Sequence, residues 1–194
     1  MKSNFFAFAS RIKYIHRWAL MRNTTYETLS QHSYEVATLA HALAVIGNRR
    51  FQKNYDVSRA ALLGLYHDVP EIITGDMPTP VKYHSKEMRT AFAAVEQYAS
   101  ARLLSMLPDD LRADYEPLLS EKATDEADLH VLVKAADKLS AYIKCIEERK
   151  AGNSEFSDAE RATKKALEKM QCPEAEVFIE EFLPAYSLPL DKLK

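Results

Sequence analysis

Apolar residues recur three and four positions apart along most of the chain, the spacing of amphipathic helices. Glycine is scarce, at four residues, and β-branched runs are short. The pattern predicts an all-α protein with helices near 3–18, 31–47, 57–74, 85–106, 109–119, 125–151, 155–171 and 174–183. Their ends carry punctuation. Ser30 is read as the cap of the second helix and Pro108 as the break between the fourth and fifth. Thr124-Asp-Glu-Ala opens the sixth, Gly152 closes it, and Pro173 opens the last. Segments 19–29 and 75–84 read as loops, the second fixed by two prolines and a turn at Gly75-Asp76. No long linker or repeat divides the chain, so residues 1–194 are expected to form one globular domain.

Three helices break the pattern in the same way. In the second, the stripe Val36, Leu39, Leu43 and Ile46 continues back to His32, which should point inward. His41, half a turn away, should face outward. The third helix is apolar on nearly all sides and is expected to be buried, yet it carries His67, Asp68 and Glu71. Read as one helix, His67 and Glu71 share a face, as do Asp68 and Glu71. In the sixth, Asp137 lies at the edge of the stripe Leu129, Leu132, Val133, Ala136, Ser140 and Ile143, with Lys134 and Lys138 expected to project elsewhere. A buried unpaired carboxylate costs several kcal/mol, on the order of 3–5. Such groups call for partners or a cation.

His32, His67, Asp68 and Asp137 would therefore converge as two imidazoles and two carboxylates, a donor set for a divalent transition metal. Four ligands on an octahedral ion leave two positions for water and a substrate oxygen, the arrangement of metal-assisted hydrolysis. Glu71 is placed as a base or acid beside the ion. His130 and His84 are left outside the site, His130 as a surface residue.

Composition narrows the class. A net charge of −2 with mixed signs argues against a nucleic-acid polymer or an anionic membrane as partner. No stretch approaches about 18 uncharged apolar residues. Cys145 and Cys172 are not in metal-binding spacing and read as reduced thiols of a cytoplasmic protein.

The order His32, then His67-Asp68, then Asp137 resembles the HD-domain metal-dependent phosphohydrolases. The segments HRWALMRN at 16–23, SQHSYEVA at 30–37, YHDVPEIITGDMPTPVKY at 66–83 and KAADKLSAYIKCIEE at 134–148 are similar to the bacterial 5′-deoxynucleotidases of that superfamily. The resemblance implies a globular all-α bundle and a homodimer. It implies hydrolysis of 2′-deoxyribonucleoside 5′-monophosphates, tolerant of base, by water activated on one divalent ion such as Co²⁺ or Mn²⁺. It makes His32, His67, Asp68 and Asp137 the metal ligands, with His32, Asp68 and Asp137 also touching substrate, and Glu71 the catalytic acid or base. Arg17 would clamp phosphate and Trp18 would exclude a ribose 2′-hydroxyl. Asp76, Met77, Pro78 and Thr79 would line the same pocket. A triphosphate would need more cations than Arg17, with Lys82 and Arg22 as additions, so a monophosphate is expected over a dNTP, cyclic or signalling nucleotide. A catalytically silent nucleotide-binding module is the reading from another class.

Overall fold

The computed structural model describes residues 2–82, 84–120 and 126–193; the side chain of Thr79 also lies outside the description. Ten α-helices are described: α1 Phe5–Ala9, α2 Leu29–Arg50, α3 Val57–Tyr66, α4 Glu71–Thr74, α5 Thr79–Lys82, α6 Lys86–Leu104, α7 Asp109–Leu119, α8 Ala127–Lys150, α9 Ser157–Met170 and α10 Pro173–Glu181. Short 3₁₀ turns join some of them, and the β pairing among the described residues is one isolated bridge between His16 and Thr28. The all-α expectation holds.

Several boundaries move, for local reasons. The first predicted helix is a short α1 followed by a 3₁₀ turn, Ser10–Tyr14, and it ends before the His16 bridge. α2 starts at Leu29, and its cap is Thr28 rather than Ser30. Thr28 Oγ1 accepts from the Gln31 N–H at 3.4 Å while Gln31 Oε1 accepts from the Thr28 N–H at 2.8 Å, a reciprocal capping box. The predicted 57–74 helix is two helices joined by tight turns, because Pro70 brings no N–H and disfavours α-helical geometry at the residue before it. α5 occupies part of the predicted 75–84 loop. Thr124, read as the opening of the sixth helix, lies outside the described residues.

The chain divides into two compact units. Of the described residues, the first holds 2–20, 26–33, 66–82 and 84–120. Its core is Phe5, Val69, Leu103, Leu107 and Leu119, with Tyr66, Ile72, Ile73 and Tyr115 packed against it. Val69, Ile72 and Ile73 thus anchor the segment that carries His67, Asp68 and Glu71. The apolar residues around those ionisable groups hold the broken helix against this core, and His67, Asp68 and Glu71 are themselves largely buried beside it. Gly75, at φ 72° and ψ 163°, ends α4 in a conformation that favours glycine.

The second unit holds residues 21–25, 34–65 and 126–193. Buried Leu132, Ala135, Ala136, Leu139 and Ile143 make α8 its central helix, against which α9 and α10 pack. α2 and α3 approach closely at Gly64, where a Cβ would meet the Ala37 Cα at 2.9 Å. α3 is not buried all round, however: Leu62 and Leu65 are 37% and 44% exposed. Its apolar face is broader than the core it covers.

A buried ion pair, Lys144 with Glu148, lies in this unit. Lys144 Nζ also donates to the Thr25 carbonyl at 2.5 Å. Glu148 accepts from the Thr24 N–H at 2.9 Å and Asn153 Nδ2 at 2.7 Å. Burial opposes ionisation of Glu148, but these donors outweigh it and hold the carboxyl well below its usual 4.5. Its stabilising effect is therefore present above pH 4.5 and disappears as pH falls below that value. Lys144→Ala leaves the carboxylate buried without its cation and should cost about 3–5 kcal/mol in urea unfolding at pH 7, with a smaller difference at acid pH.

Candidate active site

The site is built in the first unit. His32 comes from the first turns of α2, His67 and Asp68 from the turn after α3, and Glu71 from the start of α4. One donor atom each from His32, His67 and Asp68 lies within 4.8 Å of the others. Asp68 Oδ2 is the meeting point, 3.0 Å from His67 Nε2 and 3.5 Å from His32 Nε2. The two rings stand edge to face with centroids 5.2 Å apart. His32 is fully buried, as its place on the stripe predicts, and His41 is exposed. Two imidazole nitrogens and a carboxylate oxygen fit a divalent transition ion.

Burial raises the Asp68 carboxyl, but the positive field of His67 and the hydrogen bonds of both histidines outweigh it and hold it well below the carboxylate range. Glu71 goes the other way. Burial is the largest cause, the charges of Asp68 and Asp76 add to it, and Lys82 and Arg17 only partly oppose them, so the carboxyl is pushed up to about 9. Its Oε2 is buried with no hydrogen-bond partner among the described residues. Two neighbouring carboxyls with oppositely displaced pKa values are the signature of an acid and an anion with separate tasks. Asp76 is raised by burial, less strongly because Arg17 and the Trp18 N–H favour its anion.

Arg17 and Trp18 reach this cluster from a segment that pairs with residues 27–29. The Arg17 N–H donates to the Glu27 carbonyl at 3.0 Å, and the Leu29 N–H to the Ile15 carbonyl at 2.8 Å. Trp18 sits at φ 58°, a left-handed backbone that costs a bulky residue about 1–3 kcal/mol and concentrates at functional sites. Glu27 Oε2 accepts from Arg17 Nη1 at 3.1 Å and from Trp18 Nε1 at 3.0 Å. Arg17 Nη1 is also 2.7 Å from His32 Nδ1. A guanidinium only donates, so Nδ1 accepts here and the ring proton sits on Nε2, toward Asp68. Ligation through Nε2 requires the other tautomer, and Glu27 Oε1, 3.9 Å from Nδ1, is a carboxylate on that side of the ring.

Met77 and Pro78 follow Asp76 into α5 and are half-buried, while the Thr79 side chain lies outside the described residues. Lys82 Nζ is 2.6 Å from Glu96 and stands over the Phe92 ring. Asp137 stands in the second unit on α8. Contrary to expectation, Lys138 does reach it, at 2.8 Å, since a long flexible stem can turn back to its chain neighbour. Arg22, also in the second unit, pairs with Glu155 at 2.6 Å.

The chain matches the family described as 5′-deoxynucleotidase YfbR-like over residues 4–186. The chain belongs to this family. A 5′-deoxynucleotidase of Pectobacterium atrosepticum is 46% identical over 192 residues, 99% of this chain and 96% of that protein. One of Yersinia pestis is 47% identical over 191 residues, 98% of this chain and 96% of that protein. An HD-domain phosphohydrolase of Listeria innocua shares the fold at a TM-score of 0.80 and 23% identity, covering 94% of this chain and 88% of that one. So does the cyanophage S-2L HD phosphohydrolase bound to dA and one catalytic Zn²⁺, at a TM-score of 0.67 and 18% identity over 92% of this chain and 95% of that one. Membership of this 5′-deoxynucleotidase family makes the chain a hydrolase that acts on nucleotides. Among the described residues, no helix is long and apolar enough to cross a membrane.

Glu27 escaped the reading of the sequence. The signal was available: it is the only acidic residue between Arg17 and His32, so it is the local carboxylate for two donors expected at one pocket.

Proposed function

We propose that the chain hydrolyses 2′-deoxyribonucleoside 5′-monophosphates to deoxynucleoside and phosphate, selectively against ribonucleotides and with tolerance of base. The observation that supports this best is the convergence of His32, His67 and Asp68 beside the buried Glu71 carboxyl, in a chain nearly half identical to 5′-deoxynucleotidases. His32, His67, Asp68 and Asp137 would hold one divalent ion, Co²⁺, Mn²⁺ or a similar metal. The Zn²⁺ and dA of the cyanophage neighbour support a metal and a deoxynucleoside in this fold. When bound, such an ion polarises a phosphate oxygen and lowers the pKa of water.

The chain's own side chains supply the rest. The Arg17 guanidinium offers a fork to phosphate oxygens. Glu71 carries the proton that the leaving 5′-oxygen needs. The carboxylate or imidazole edges of Asp68, Asp137 and His32 border the phosphate, and Asp76, Met77, Pro78 and Thr79 line the sugar side. Arg17 and Lys82 are the cations whose charges act on Glu71, and Lys82 is engaged by Glu96, which favours a monophosphate over a triphosphate. Residues 1–194 act as one HD-type phosphohydrolase domain, as a cytoplasmic homodimer.

The Trp18 indole forms the wall that leaves a ribose 2′-hydroxyl buried without a partner, at about 1–3 kcal/mol. Trp18→Ala should therefore lower the preference for dAMP over AMP by about 5- to 150-fold in kcat/KM. The test is phosphate release from paired dAMP and AMP with Mn²⁺ or Co²⁺ added. Equal rates on the two by the unsubstituted protein would count against deoxyribose selectivity, and release only from tri- or cyclic nucleotides would count against the monophosphate.

A further inference from the structure

We infer that Glu27 is a positioning residue that sets the sugar selectivity of this site by aiming the Trp18 indole and the Arg17 guanidinium from a single carboxylate oxygen. The inference rests on the proposed roles of Trp18 and Arg17. Four observations converge on it. Glu27 Oε2 takes both the Trp18 Nε1 proton, at 3.0 Å, and an Arg17 Nη1 proton, at 3.1 Å. Its side chain is 13% exposed and that of Arg17 is 11% exposed, so this is not a solvated surface pair. The Glu27 carbonyl accepts from the Arg17 N–H at 3.0 Å, which fixes the residue by backbone as well as by side chain. Trp18 occupies a left-handed backbone at φ 58°, which surrounding contacts must hold in place.

An indole bonded through Nε1 has one orientation about its side-chain torsions. An indole without that bond has several, and a wall with several positions leaves room for a 2′-hydroxyl. A rigid wall discriminates; a mobile one admits both sugars. Arg17 shares the same oxygen, so the guanidinium and the wall keep a fixed spacing, which couples phosphate placement to sugar placement.

The test compares E27Q and the unsubstituted protein in two ways. The first is the ratio of kcat/KM for dAMP to that for AMP with Mn²⁺. The second is the fluorescence of Trp18, the only tryptophan, in chelator-treated protein without substrate. The expected result is a ratio reduced at least 5-fold, together with a shifted emission maximum and a faster anisotropy decay, at unchanged helical circular dichroism. In a W18F background, E27Q should move the ratio less than 2-fold. A ratio within 2-fold of the unsubstituted protein, or an equally large effect of E27Q with and without the indole, overturns the inference. If E27Q does not fold, Glu27→Asp, which withdraws the carboxylate by one methylene, takes its place with the same expectations. An unsubstituted protein with no preference for dAMP overturns the underlying selectivity reading, whereas retained preference in E27Q overturns this inference alone.

Discussion

Asp68→Asn should abolish phosphate release and metal retention together. The substitution keeps the shape of the side chain and removes its charge. Asp68 Oδ2 is the atom on which both histidines converge, and its carboxyl is held ionised by them. Without it, His32 and His67 lose the carboxylate oxygen on which their ring nitrogens converge, and a dication would lose that anionic partner. Groups that merely orient a ligand are worth about 10–100-fold in metal affinity, so loss of a ligand itself should exceed that. The expected loss of kcat/KM is about 10³-fold or more. Metal analysis of purified D68N, beside activity with dAMP, checks it. Full metal content with normal turnover would remove Asp68 from the ligand set.

Glu71→Gln should separate chemistry from metal binding. The amide fills the same volume but cannot deliver a proton, and positioned acids or bases contribute about 10²–10⁴-fold. Turnover should fall by that order while metal content stays near that of the unsubstituted protein. A second consequence distinguishes this residue from a ligand. In the metal-free protein the Glu71 carboxyl is raised from 4.5 to about 9, chiefly by burial. A raised folded-state pKa gives stability that is intact below pH 4.5 and declines as pH rises toward 9. Glu71→Gln escapes that decline, so chelator-treated E71Q should melt above the unsubstituted protein at pH 8 and close to it at pH 4.5. A buried carboxyl that lowers stability in this way would be the usual trade of a functional group against the fold. Loss of metal in E71Q would move Glu71 into the coordination shell.

These expectations rest on features of unequal visibility in the sequence. His32 was legible because it sits on an otherwise apolar stripe, and the structure buries it completely. His67, Asp68 and Glu71 were legible as ionisable groups amid Leu, Val and Ile, but their arrangement was not. Read as one helix, 57–74 sets Glu71 one turn above His67. In the structure α3 ends at Tyr66, a turn carries His67 and Asp68, and α4 begins at Glu71. Pro70 was the warning, since a proline within an apolar period marks a break. Thr28 and Gln31 were overlooked as a capping box because Ser30 stood two residues nearer the periodic run. The Glu27 contacts and the left-handed Trp18 have no periodic signature at all. They depend on a chain reversal that brings residues 15–18 beside 27–29, which spacing rules do not describe. Asp137 was legible through its motif position, and the ion pair it makes with Lys138 was not.

The proposed activity is that of a metal-dependent hydrolase selective for deoxyribose. The most direct measurement is phosphate release from dAMP and from AMP by chelator-stripped protein, with divalent metals added back one at a time. No release is expected without metal, with restored release from dAMP on adding Mn²⁺ or Co²⁺, and little from AMP. Release that survives complete metal removal, or equal release from both nucleotides, would contradict it.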